Sequence, residues 1–177
     1  MKIETCKKLP EIKIIYNDIH PDNRGEFMET YKKTSYADLL GLNHDFVQDN
    51  LVYSDANVLR GLHYQEKFPQ GKLVSVIEGE IFDVAVDINK KSDTFSQWFG
   101  AKLSKNNSCQ LFIPPGYAHG YCVLSDFAIV MYKCTDYYHK NDQKGIIWDD
   151  DKINIKWPIS NPIISEKDSK LPKLSNL

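Results

Sequence analysis

No run in this chain approaches the roughly 20 apolar residues that a membrane-crossing helix needs, and Met1-Lys2-Ile3-Glu4-Thr5 begins no signal-peptide core. A cytoplasmic protein is expected. Cysteine is sparse: Cys6, Cys109, Cys122 and Cys134 stand far apart with no C-x-x-C pair, which argues against a zinc ribbon and a disulfide framework. Four reduced thiols are expected. A surplus of one charge is also missing, since 22 Lys and Arg face 24 Asp and Glu, for a net charge of -2 and a pI near 6.2. Without a basic field to neutralise phosphates, bulk DNA or RNA is not an expected partner. Internal repeats, low-complexity tracts and an interdomain linker are absent as well. The 177 residues suffice for one domain that buries most of its unfolded surface and are too few for two of full size.

What the chain does have is β pattern. Apolar residues in its middle recur with period two or in short β-branched and aromatic runs. Lys72–Ile77 and Ile81–Ile88 flank Glu78-Gly79-Glu80 and predict a hairpin. Further strands are expected over 12–16, 27–31, 46–53, 95–103, 110–113, 121–124 and 127–134, a spacing that suits a sandwich or barrel. One short helix is expected, capped by Ser35 and ended by Gly41. From about residue 139 the chain turns polar, and this tail is expected to drape over the barrel or fray.

Two segments concentrate reactive side chains. In Arg60-Gly61-Leu62-His63-Tyr64-Gln65, strict alternation puts Arg60 and Leu62 on one face and Gly61, His63 and Gln65 on the other. Spacing alone leaves His63 either a hydrogen-bonded structural histidine or a general base. In Ile113-Pro114-Pro115-Gly116-Tyr117-Ala118-His119-Gly120, the prolines and glycine make a rigid turn before a strand that delivers His119 inward. The P-x-G-x-x-H spacing resembles the second cupin motif, but the strand carrying His63 lacks the H-x-H pair and glutamate of metal-binding cupins. A metal-free cupin is expected. Asp83 and Asp87 share one strand face, where a paired-carboxylate site is conceivable and a structural role is preferred.

These segments belong to a longer series of ordered blocks. It includes Asp22–Glu29, Phe46–Asn50, Gln70–Val74, Asp83–Asp87, Tyr132–Tyr138, Gly145–Trp148 and Ser165–Asp168. Together they resemble the dTDP-4-dehydrorhamnose 3,5-epimerases over residues 18 to 170. The resemblance implies an all-β cupin-type jelly roll, a double-stranded β-helix barrel with a few short helices. It further implies inversion of carbons flanking the C4 ketone of a nucleotide-linked 4-keto-6-deoxy sugar, with no cofactor.

Such chemistry needs a base on one face of the sugar, an acid on the other and a cation or hydrogen-bond donor for the enolate oxygen. By resemblance His63 is the base, Asp168 orients it, Lys72 faces the enolate and Tyr132 is the acid. Arg60 and Arg24 are implied at the phosphates and Phe27 as a stacking surface. Glu29, Gln48, Asp49, Asn50 and Lys167 are implied as polar contacts, with Tyr138 and His119 lining the pocket. Relatives often carry an acidic residue where this chain has Gln143, which leaves the nucleotide and the sugar length open. A homodimer with an exchanged N-terminal strand is implied, carrying Arg24 and Phe27 to the neighbour's pocket. The other readings are a monoepimerase or 3,4-ketoisomerase on another nucleotide sugar such as a GDP-linked 4-keto-heptose, a non-catalytic sugar-nucleotide binder, and a metal-dependent cupin oxygenase.

Overall fold

The computed structural model describes residues 1–41 and 45–177. In chain order the first elements are β1 (Lys2–Thr5), β2 (Lys13–Tyr16), β3 (Ile19–Asp22), β4 (Gly25–Met28), α1 (Lys33–Leu40) and β5 (Gln48–Asp55). Then come β6 (Leu59–Gln65), β7 (Lys72–Glu78), β8 (Glu80–Asp87), β9 (Trp98–Ser104) and β10 (Cys109–Ile113). β11 (Tyr117–Val123), β12 (Phe127–Cys134) and β13 (Gln143–Gly145) complete the strands. They form a six-stranded sheet in the order β1-β2-β10-β7-β12-β5, a five-stranded sheet in the order β13-β6-β11-β8-β9, and the separate β3–β4 hairpin. Every pairing within the three sheets is antiparallel.

β7 and β8 do not form the expected hairpin: β7 lies in the six-stranded sheet and β8 in the five-stranded one. The turn chemistry at Gly79 is read correctly, but the chain crosses between layers there. Gly79 has φ +83°, and a Cβ on it would lie 2.1 Å from the Phe127 carbonyl oxygen, so only glycine fits. A turn sequence does not distinguish doubling back within one sheet from passing to the facing one.

Period-two alternation builds the interior. β7 turns Val74 and Val76 inward, β8 Ile81 and Ala85, β10 Leu111 and Ile113, and β12 Ala128 and Val130. Each fully buried Val, Leu or Ile side chain among these contributes about 1.5–3 kcal/mol. The outer face of the five-stranded sheet, with Leu62, Val84, Val86 and Ala118, is covered by Ile153 and Leu174 and flanked by Trp157 and Leu177 of the C-terminal segment. The polar tail of the sequence therefore carries a sparse set of apolar anchors.

The outer face of the six-stranded sheet is covered in part by α1, whose Tyr36 packs with Ile15, Leu73 and Phe112. The helix starts at Lys33 and Ser35 caps nothing, because the Tyr36 hydroxyl, bonded to Asn17, Thr30 and Gln110, decides where it docks. Gly41 ends it in the left-handed conformation, as expected. The strand expected over 27–31 stops at Met28, since Tyr31 leaves the hairpin to pack on Tyr36 and Phe46. All four cysteines are buried and unpaired. Among the described residues no helix is long and apolar enough to cross a membrane.

Candidate active site

Toward one end of the sandwich the inward faces change character. On β7 the series Val76, Val74 is followed by Lys72, on β12 Val130 by Tyr132, and on β11 Val123 by Tyr121 and His119. These polar residues line a cavity of about 670 Å³, a size that suits a small-molecule ligand. Buried lysine and histidine in a wall otherwise built of β-branched residues are costly unless partnered, so the arrangement asks for a chemical reason.

A bulge sets the histidine strand. β11 pairs His119 with His63 and Tyr121 with Arg60, so two residues of β6, Gly61 and Leu62, stand against Gly120 alone. The strict alternation expected for Arg60–Gln65 is broken at this point. Arg60 and His63 both reach the cavity, while Leu62 turns into the outer core. Gly61 has φ +109° and comes so close to β11 that a Cβ would lie 2.6 Å from the His119 carbonyl oxygen. Its N–H instead donates to Asp168 Oδ2 at 3.2 Å. The turn Pro114-Pro115-Gly116, with Gly116 at φ +90°, leads into β11 and delivers His119 inward as the motif predicted.

Asp168 arrives from the C-terminal segment. Ile163 bridges to Val58 in parallel fashion, with Leu59 N–H donating to the Ile163 carbonyl at 2.9 Å. The chain then enters a 3-10 turn, Asp168–Lys170, where Asp168 N–H donates to Ser165 Oγ at 3.0 Å. This strap puts Asp168 Oδ1 2.7 Å from His63 Nε2. Burial pushes the Asp168 carboxyl up, but the hydrogen bond and charge of His63, the Gly61 N–H and Lys167 outweigh it and hold it below the ordinary carboxylate range. An ionised Asp168 so placed holds the imidazole in one orientation.

His63 projects from the five-stranded sheet, whereas Lys72 and Tyr132 project from the six-stranded one. Burial pushes the Tyr132 hydroxyl up to about 12, so the phenol keeps its proton at neutral pH. Burial lowers Lys72, against the opposing pull of Cys134 and Asp83. A second histidine pair stands nearby: His119 Nε2 lies 2.7 Å from Asp83 Oδ1, and burial lowers His119 despite that carboxylate. At the rim the Arg60 guanidinium is oriented by Ser54 Oγ at 2.9 Å and the Tyr53 carbonyl at 3.2 Å. Gln143 Oε1 accepts from Tyr138 at 2.9 Å and from Lys167 Nζ at 2.6 Å.

Gln48, Asn50, Arg60, His63, Lys72, His119, Tyr132, Tyr138, Gln143, Lys167 and Asp168 thus line one cavity. Asp49 does not: between Gln48 and Asn50 on β5 it takes the opposite face and pairs with Lys133 at 2.9 Å. Arg24, Phe27 and Glu29 also lie outside the cavity of their own chain. Arg24 is bonded to Asp22 at the tip of the exposed β3–β4 hairpin, and Phe27 is 68% exposed. Asp87 accepts from Asn89 N–H and Thr94 Oγ1 and is structural. Tyr121, Ile163 and Ile164 line the cavity without having been singled out. The signal for Tyr121 was available, two residues beyond His119 on the same strand.

The fold is a cupin-type jelly roll, and its cavity gathers the kinds of group that acid–base chemistry on a small molecule needs. A family model for dTDP-4-dehydrorhamnose 3,5-epimerase matches residues 6–176. The enzyme of that name from Shigella flexneri is 49% identical, over 91% of this chain and 90% of its own. That from Methanothermobacter thermautotrophicus is 52% identical, over 88% and 85%. The solved dTDP-6-deoxy-D-glucose-3,5-epimerase of Legionella pneumophila, in complex with dTDP-4-keto-L-rhamnose, superposes with a TM-score of 0.96 at 47% identity, covering 98% of this chain and 93% of that one. This chain belongs to the dTDP-4-dehydrorhamnose 3,5-epimerase family.

Proposed function

We propose that the protein inverts C3 and C5 of dTDP-4-keto-6-deoxyglucose, giving dTDP-4-keto-L-rhamnose. The observation that carries this reading is the placement of His63, backed by Asp168, and Tyr132 on opposing sheets across one cavity. His63 takes the proton from a carbon next to the C4 ketone. The electron pair forms a carbon–carbon double bond and moves charge onto the ketone oxygen, where the Lys72 ammonium receives it. A fixed cation in such a water-poor site is worth far more than in bulk solvent. Tyr132 then protonates the same carbon from the other side, and His63 and Tyr132 return to their starting states by exchange with solvent. The same cycle at the second carbon completes the product.

Arg60 and Lys167 supply cations for the diphosphate, and Tyr138 gives the base a planar surface. The proposal includes a cytoplasmic homodimer in which the β3–β4 hairpin of each protomer brings Arg24, Phe27 and Glu29 to its partner's cavity. The exposure of this hairpin and of Leu51 and Tyr53 on the outer face of edge strand β5 supports it. Mixing the inactive variants Arg24→Ala and His63→Ala is then expected to restore activity, because each mixed dimer holds one intact cavity. No recovery in a mixture shown to exchange subunits sinks the exchanged hairpin.

Proton NMR in D₂O tests the reaction itself. Deuterium entering C3 and C5 of the 4-keto sugar is the expected result. Entry at one carbon alone identifies a monoepimerase, and entry at neither, with binding retained, leaves a sugar-nucleotide binder.

A further inference from the structure

Asp83 is fully buried on β8, and its Oδ1 takes the His119 hydrogen bond. Its Oδ2 is shut off from solvent with no hydrogen-bond partner among the described residues. A carboxylate oxygen in that position is costly unless a cation compensates it. Lys72 is buried too, and no hydrogen bond ties its ammonium among the described residues.

The groups around Lys72 narrow the choice. Lys72 stands opposite Cys134 of β12 and shares the cavity wall with Tyr132, His119 and His63, while Asp83 of β8 also acts on its charge. Burial keeps the Tyr132 phenol and the Cys134 thiol protonated and leaves His119 uncharged at neutral pH. The carboxylate behind His63, Asp168, is taken up by that imidazole and by Gly61 N–H. Asp83, with its Oδ2 buried and unpartnered among the described residues, is the remaining carboxyl group that acts on Lys72.

We propose that Asp83 is a positioning residue, holding His119 through one oxygen and serving with the other as the counter-charge that keeps Lys72 an ammonium ion. This rests on Lys72 receiving the enolate charge, as inferred above. With Asp83 accepting, neutral His119 carries its proton on Nε2 and its lone pair on Nδ1, so the carboxylate also selects the tautomer presented by the cavity wall.

The test is the pH profile of deuterium wash-in at C3 and C5 for the full-length protein and three variants. In the parent the rate falls on the alkaline side as Lys72 loses its proton. D83N keeps the shape and removes the charge, so that falling limb is expected to move down by about one pH unit or more, a loss of roughly tenfold on the alkaline side, with the acid limb in place. H119Q, which leaves the Asp83 charge, is expected to lower the rate without moving the falling limb. A uniform loss in D83N with both limbs unmoved overturns the proposal, as does an H119Q limb displaced downward by a unit or more. The H119Q arm decides alone if D83N does not fold. K72M separates the two ideas: normal wash-in in K72M removes Lys72 from the mechanism, whereas lost wash-in with an unmoved D83N limb removes only Asp83.

Discussion

The two histidine–aspartate pairs have the same 2.7 Å separation and little else in common. The His63 side chain is 26% exposed on the cavity wall, and its aspartate comes from a strap 105 residues away with both carboxylate oxygens satisfied. The His119 side chain is 8% exposed, its aspartate on the neighbouring strand is 0% exposed, and one oxygen of that aspartate has no hydrogen-bond partner among the described residues. Contact distance alone therefore does not identify a proton-transfer dyad. Access to the substrate and the accounting of the second carboxylate oxygen do, because a base must exchange its proton with solvent between turnovers whereas a buried pair is held in one charge state by desolvation.

The largest effect is expected at the accessible pair. His63→Ala should reduce wash-in at C3 and C5 by roughly 10²- to 10⁴-fold while leaving the affinity for dTDP unchanged, as calorimetric titration would show. Wash-in that survives His63→Ala and disappears in His119→Gln would exchange the roles of the two pairs.

A smaller loss, roughly 10²-fold, is expected for Asp168→Asn, which keeps the base but leaves its tautomer and the developing imidazolium unsupported. The same variant sharpens the comparison through stability. Asp168 titrates below its ordinary value of 3.8 when folded, so unfolding takes up a proton in that range. Its contribution is complete above that ordinary value and is lost as pH falls through the lower folded-state value. Urea midpoints measured from about pH 7 down to about pH 3 should therefore fall less steeply in Asp168→Asn than in the parent. Equal slopes would mean that the His63 contact does not hold the carboxyl down in solution.

Much of this architecture was legible locally. Period-two patterns and short β-branched or aromatic runs marked β7, β8, β10 and β12 as strands, Gly41 marked a helix end, and the Pro114-Pro115-Gly116 turn correctly aimed His119. The misses share a cause. β1, β3 and β13 are only three or four residues long, too short for a period to register. The Gly79 turn joins two sheets instead of two neighbours, the α1 start follows a Tyr36 anchor on β10 and the Asn17 and Thr30 segment, and the β6 bulge depends on the glycine facing it in β11.

The sequence by itself determined the longer strands, the inward direction of His119 along its own and, through its ordered blocks, the family. Side-chain direction within a strand is a local property of the backbone with a period of two, so neighbouring residues suffice to read it. Tertiary structure alone decided that Arg60 and His63 share a face and that a polar tail returns to put Asp168 behind His63. Those outcomes depend on which backbone donors are left unpaired and on which distant segment arrives to satisfy them. Gly61 N–H, freed by the bulge and taken by Asp168, is the point where the two meet.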